Sequence, residues 1–218
     1  MTNKKAVLDD LARYWDELRG HRMAPRRTDL NPSRFGAALE HMFILETVAG
    51  GPLRIRLAGT RLFDLMGMEP RGMPARAIFA ERDQMRADDL LHEVVSHPAK
   101  IDIGLSVTAL GGQIYEGGMI LRPMTDDFGD ITRVLGCLAT DAPRHETELG
   151  LTIGTIRVDT LREGQMPKRG HAPAMGFAEE QAPFDGPHLR SVSAGGGRTR
   201  PERKPLSRSH LRIVSSRD

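Results

Sequence analysis

Arg54-Ile-Arg-Leu-Ala-Gly-Thr-Arg-Leu-Phe-Asp-Leu-Met-Gly67 decides how the rest of the chain is read. Its first half alternates, with Ile55 and Leu57 on one side and Arg54 and Arg56 on the other, the pattern of a half-buried antiparallel strand. Gly59 breaks the strand, and Thr60 is placed to cap a helix after it, because its hydroxyl can accept from backbone N–H groups two or three residues on. Leu62, Leu65 and Met66 then recur at helical spacing with Phe63 alongside, and Gly67 stands where a left-handed glycine closes a helix. Strand, glycine, short helix, glycine is a device for turning a chain across the face of a sheet.

Working outward, Met42 to Val48 reads as a strand that returns through Ala49-Gly-Gly-Pro52 into residues 53–58, a hairpin. Before it, Asn31-Pro32 reads as an N-cap and first helical residue of a short helix with Phe35 and Leu39 facing in. Further back, Leu8, Leu11, Trp15 and Leu18 form one stripe of an amphipathic helix that Gly20 ends. That stripe either packs on its own domain or pairs with a second copy of itself. After the central stretch, Pro70 and Pro74 break residues 68–79 into turns, anchored by Ile78 and Phe79. Glu81 to His97 carries Ala87, Leu91, Val94 and Val95 on one face, a surface helix ended by Pro98. Strands at about 101–109, 113–123 and 131–140 come next, turning at Gly111-Gly112 and at Asp126-Asp-Phe-Gly-Asp130.

Composition narrows the class. The chain has 218 residues, of which 39% are hydrophobic and 5% aromatic, so part of it is expected to remain unpacked. No apolar run approaches the roughly 18 residues of a membrane-spanning helix. Asp9 and Asp10 interrupt the N-terminus where a signal peptide needs an apolar core, so the chain is read as cytoplasmic. A single cysteine, Cys137, rules out an internal disulfide and a Cys-x-x-Cys metal site.

The motif Arg56-Leu-Ala-Gly59-Thr60-Arg61-Leu62, with Gly67-x-Glu69-x-x-Gly72 after it and Pro25, Arg27, Asp29 and Pro32 before it, resembles a family of small stand-alone PAS-domain proteins of alphaproteobacteria. The resemblance covers residues of about 8–141. It implies an α+β fold: a five-stranded antiparallel sheet in the order 2-1-5-4-3, with short helices over one face and an N-terminal amphipathic helix in front. It also implies a pocket between sheet and helices, lined by Phe43, Leu45, Ile55, Leu57, Leu65, Met66, Phe79, Leu91 and Val94. Helices flanking PAS cores often serve as dimer contacts, which makes Leu8, Leu11, Trp15 and Leu18 the candidate dimer residues. The domains are then 1–31, N-terminal amphipathic helix and connector; 32–145, PAS-like core; and 146–218, a basic tail expected to be largely disordered.

The chemistry-bearing residues are few. His92 and His97 stand i, i+5, about 140° apart on a helix, and cannot share one metal ion. Some PAS domains hold haem through a histidine on the long helix, and His92 has that position, but it lies off the apolar stripe and is read as exposed. The photochemical flavin subclass needs a cysteine in a turn that starts a helix; Cys137 is instead in a strand, as a small buried hydrophobe. Non-covalent flavin remains open, and the cofactor is unassigned. No nucleophile elbow, phosphate loop or HExxH motif occurs, so no residue is assigned to catalysis. Arg54 and Arg56 read as a solvated strand face, while Arg56 and Arg61 could also bind an anion or brace the helix through carboxylates such as Glu69.

These readings point to a sensory or regulatory module acting through protein–protein contact. The alternative is a sensor of an apolar ligand, haem or flavin; a third is association of the tail with nucleic acid or an anionic surface. Residues 151–158 could extend as a strand, but 164–205 is rich in Gly and Pro. The last 29 residues hold eight Lys or Arg, against Glu202 and Asp218. A chain ending near Gly164 is therefore expected to melt within a few degrees of the full chain, because too few large apolar residues lie beyond it to offset an ordering cost of about 1–2 kcal/mol per residue. A drop of about 10 °C or more would mean that Leu206, Leu211, Ile213 and Val214 dock on the core.

Overall fold

The computed structural model describes residues 4–47, 51–109, 111–143 and 147–164. Everything expected of residues 165–218, and of the hairpin tip at 48–50, lies outside the described residues.

Helix α1 (Lys4–Arg19) is followed by a connector with three 3-10 turns, Arg27–Asp29, Pro32–Arg34 and Gly36–His41. Strands β1 (Met42–Glu46) and β2 (Arg54–Ala58) lead to α2 (Thr60–Met66) and then to the longer α3 (Gln84–Ser96). Strands β3 (Ala99–Ala109), β4 (Ile114–Thr125), β5 (Ile131–Thr140) and β6 (Thr147–Thr160) complete an antiparallel sheet ordered β2-β1-β5-β4-β3-β6. The α+β architecture and the order of the first five strands are as the resemblance implied. The sheet has six strands rather than five. β6 pairs with β3 from Ala99↔Thr160 to Ala109↔Thr147, so the extended stretch seen near 151–158 has a structural partner and runs past residue 145. A short parallel bridge between Phe79 and Leu151, with Asp83 accepting from Ile153 N–H at 3.1 Å, covers part of its outer edge.

Both faces of the sheet carry apolar side chains. β3 alternates strictly, with Ile101, Ile103, Leu105 and Val107 buried toward α2 and α3. Ala87, Leu91 and Val94 of α3 meet them, as the stripe predicts. On the opposite face α1 lies across β4 and β5. There Val7, Leu11, Tyr14 and Trp15 join Ile120, Met124, Leu135 and Cys137 in a second core. Trp15 is fully buried, and its indole N–H donates to the Pro123 carbonyl at 2.9 Å. Leu8 and Leu18 pack against the same cluster. The candidate dimer stripe is thus taken up by the chain's own sheet, because β4 and β5 present apolar residues outward that α1 covers together with Phe35, Ala38 and Leu161.

Two local expectations change. Thr60 does not cap α2; Gly59 does the capping, without a side chain, and Thr60 is the first helical residue. The turn falls at Gly59 because a Cβ there would stand 2.3 Å from the Glu40 carbonyl oxygen, an approach only glycine allows. Gly67 does close α2 in the left-handed region, φ 64°. Phe35 is buried, but Leu39 is half exposed. The segment winds as a 3-10 helix, three residues per turn, so Ala38 rather than Leu39 comes inward after Phe35. Asn31 does act as a cap, its Oδ1 accepting from Ser33 N–H at 3.0 Å.

Since Trp15 fills its own core, Trp15→Ala should destabilise the fold by about 3–5 kcal/mol without changing the protein's mass in solution. Urea unfolding together with light scattering checks this. A stable variant whose mass halves would restore the dimer reading of the stripe.

Candidate functional site

Eight of the nine residues expected to line an interior pocket come together: Phe43, Leu45, Ile55, Leu65, Met66, Phe79, Leu91 and Val94 are all buried in the core beneath α2 and α3. They pack against one another. The Phe43 ring occupies the space above Gly136, where a Cβ would stand 2.1 Å from ring atoms. The ninth, Leu57, is not among them. β1 and β2 pair Leu45 with Ile55 but Ile44 with Leu57, so Arg56 is one residue too many on β2. That bulge reverses the alternation, and Leu57 emerges on the other side of the sheet, 41% exposed.

The remaining motif residues separate by role. Gly72 has φ 83°, donates to the Ile55 carbonyl at 2.7 Å and accepts from Arg54 through its own carbonyl at 2.9 Å, holding the loop against the edge of β2. Arg56 is exposed and lies 3.5 Å from Glu46. Arg61 is buried, which the flanking motif did not suggest. Its guanidinium donates to the Thr140 carbonyl at 2.9 Å and to the Ala142 carbonyl, tying α2 to the end of β5. Such charge-assisted bonds contribute about 1.5–3 kcal/mol each. The signal for Arg61 was its place four residues before buried Leu65, a charge on an apolar face. Arg122 is similar, a lone charge inside Met119-Ile-Leu-Arg-Pro-Met124. It is buried and donates to Asp102 at 2.6 Å and to the Ile101 carbonyl at 3.0 Å.

Histidines and the cysteine sit apart. His92 is exposed on α3, with one ring nitrogen 3.1 Å from Ser96 Oγ. His41, which no sequence pattern singles out, is buried. Its Nδ1 lies 2.9 Å from the Leu138 carbonyl, an acceptor only, so that nitrogen carries the proton. Cys137 faces α1, and burial pushes its thiol up to about 12. Among the described residues no three His, Cys, Asp or Glu side chains are grouped to hold a metal.

The feature that stands open is a groove of about 670 Å³ beside the β1–β2 hairpin. Leu30, Phe35, Leu39, Met42, Ile44 and Leu57 line it, with Arg27, Glu40 and Thr60 among the polar residues. Two departures from regular structure create it, the 3-10 winding that turns Leu39 outward and the bulge that turns Leu57 outward. Arg27, Ile44 and Leu57 are shared with a second depression of about 470 Å³, where Arg56, Arg71 and Arg133 meet Glu46 and Asp127. Glu46 holds Arg133 at 2.9 Å. Next to Asp127, Asp126 organises the β4–β5 turn. Desolvation would raise its pKa, but hydrogen bonds from Thr132 and the N–H groups of Phe128, Asp130 and Gly129 outweigh it and hold the carboxyl below its ordinary range. That turn carries Phe128 at its tip, 93% exposed.

This sheet, its covering helices and the inward core define the class, and the comparison of sequences agrees: the model of the PAS domain family matches residues 3–139. The chain belongs to the PAS domain family, a family of sensory and signalling modules. β6 lies beyond the matched residues. No curated protein matches the chain. Solved structures similar to it include a light-oxygen-voltage domain studied with a flavin analogue, at 13% identity and TM-score 0.41, covering 50% of this chain and 83% of that one. The light-state structure of the blue-light photoreceptor Aureochrome1 LOV domain is similar at 17% identity and TM-score 0.38, covering 49% and 84%. A Rhodobacter sphaeroides LOV protein shares 11% identity at TM-score 0.37, covering 52% and 69%.

A thiol raised to about 12 is neutral at physiological pH, and only the thiolate is an effective nucleophile. Cys137 should therefore resist iodoacetamide in the folded protein at neutral pH and react at the rate of a free cysteine in urea. Rapid labelling of the native state would show that α1 lifts off the sheet.

Proposed function

We propose that the chain is a non-catalytic, cytoplasmic PAS module that regulates by protein–protein contact. The observation that carries this is where its apolar surface lies. The side chains expected to line an interior ligand pocket are packed as core, with the Phe43 ring over Gly136, while an apolar groove opens to solvent at Leu39 and Leu57. Exposed apolar surface rimmed by charge is the usual mark of a partner-binding face. Membership of the PAS family supports the sensory role, and no helix among the described residues is long and apolar enough to cross a membrane.

The rival is a small-molecule sensor. A volume of about 670 Å³ lies within the roughly 300–1,000 Å³ of ordinary ligand pockets, so its size alone does not separate the two. Native mass spectrometry and an absorbance spectrum of freshly purified protein do. The expected result is the mass of the bare polypeptide and no visible band. A stoichiometric adduct, or a flavin or haem spectrum, overturns the proposal in favour of a ligand sensor.

A further inference from the structure

We infer that the groove and the adjoining arginines form one docking surface, and that its partner is an amphipathic peptide helix bearing carboxylates beside its apolar face. This rests on the protein-contact reading above and specifies the chemistry of the contact.

The apolar part selects for a peptide rather than a small amphiphile. Ligand pockets bury about 70–90% of a small ligand's surface, which needs walls on most sides. Here Leu39 is 50% and Leu57 41% exposed, so the walls are low. An open groove of half-exposed leucines, floored by Ile44 and Met42, suits a helix laid along it with anchors one turn apart.

The charged part sets the sign of the partner. Four arginines face Glu46 and Asp127 in the depression that continues the groove. Glu46 is occupied by Arg133 at 2.9 Å and lies 3.5 Å from Arg56. Among the described residues, neither Arg27 nor Arg71 has an ion-pair partner, and both are exposed. Guanidinium groups of this kind favour planar, bidentate contact with carboxylates.

A second copy of the chain does not supply such a helix among the described residues. The acidic residues of α1 are opposite a face already buried on its own sheet, and α3 likewise spends its apolar stripe inward. Neither α1 nor α3 of a second copy is free to fill the groove, and the occupant we infer is another polypeptide.

The test selects a displayed library of random helical peptides on the whole chain, and then measures binding of the enriched peptides to variants. Enriched peptides should carry large apolar residues at i, i+3 or i+4, and i+7, with Asp or Glu flanking them. Leu57→Glu, and separately Leu39→Glu, should weaken binding about tenfold or more, since each places a carboxylate on the groove wall. Arg56→Glu with Arg71→Glu should weaken it by a similar factor and flatten its salt dependence. Circular dichroism controls for folding, which exposed positions should not disturb. Enrichment of basic peptides, or displacement of the selected peptide by one equivalent of dodecanoate, overturns the inference. So does a wild-type dimer that Leu57→Glu splits, which would make a second copy the occupant. Peptides whose binding ignores all four substitutions overturn the groove while leaving the protein-contact reading intact. A bound cofactor found by native mass spectrometry would instead overturn that reading.

Discussion

Trp15 is the piece on which the two-faced sheet depends. A solitary antiparallel sheet can leave one face to water, but β4 and β5 carry Ile120, Met124, Leu135 and Cys137 outward. Something must cover them, and α1 does so with a side chain that fills the centre and donates its one polar hydrogen to the Pro123 carbonyl. The peripheral ion pairs, Lys4 with Asp141 at 2.6 Å and Lys100 with Asp16 at 3.4 Å, pin the helix at its two ends. Solvent-exposed pairs contribute at most about 1 kcal/mol each and these are only partly shielded, so the burial of the stripe decides the docking. The helix is a layer of the domain.

That layer stops short of the β1–β2 hairpin, and its shortfall explains where apolar surface remains. Tyr14 and Phe35 meet edge to face at 4.8 Å, closing the covered region. Beyond them the 3-10 turn and the bulge each displace one leucine by a register step. Neither leucine is buried elsewhere, and the two end up on one groove. Irregular winding before β1 and irregular pairing within the hairpin have been converted into surface chemistry, bringing Leu39 and Leu57 to one groove.

Much of the domain was legible because it is written locally. The left-handed close of α2 at Gly67, the stripe of α3 and the turn at Asp126 depend on residues within a few positions of one another. Leu57 was misplaced because its face is set by pairing with β1, and a bulge leaves no mark on an alternating pattern. Leu39 was misplaced because α and 3-10 windings differ by one residue over a single turn. The extended character of Leu151, Ile153 and Ile156 was visible, yet nothing nearby told that β3 would receive them. Arg61 could have been found from its apolar neighbours. The groove could not, since it exists only once β1, β2 and the 3-10 turn are assembled.

The 108-residue separation between the Trp15 indole and its Pro123 acceptor has a consequence for synthesis. α1 is made more than a hundred residues before the surface that receives it. At roughly 5–20 residues per second, the helix waits on the order of 5–20 seconds on the ribosome with its leucines and tryptophan uncovered. During that interval it is an amphipathic helix without a home, of the kind that chaperones and membrane surfaces bind. The second core can close only after β5 has emerged, so α1 docks long after its own synthesis.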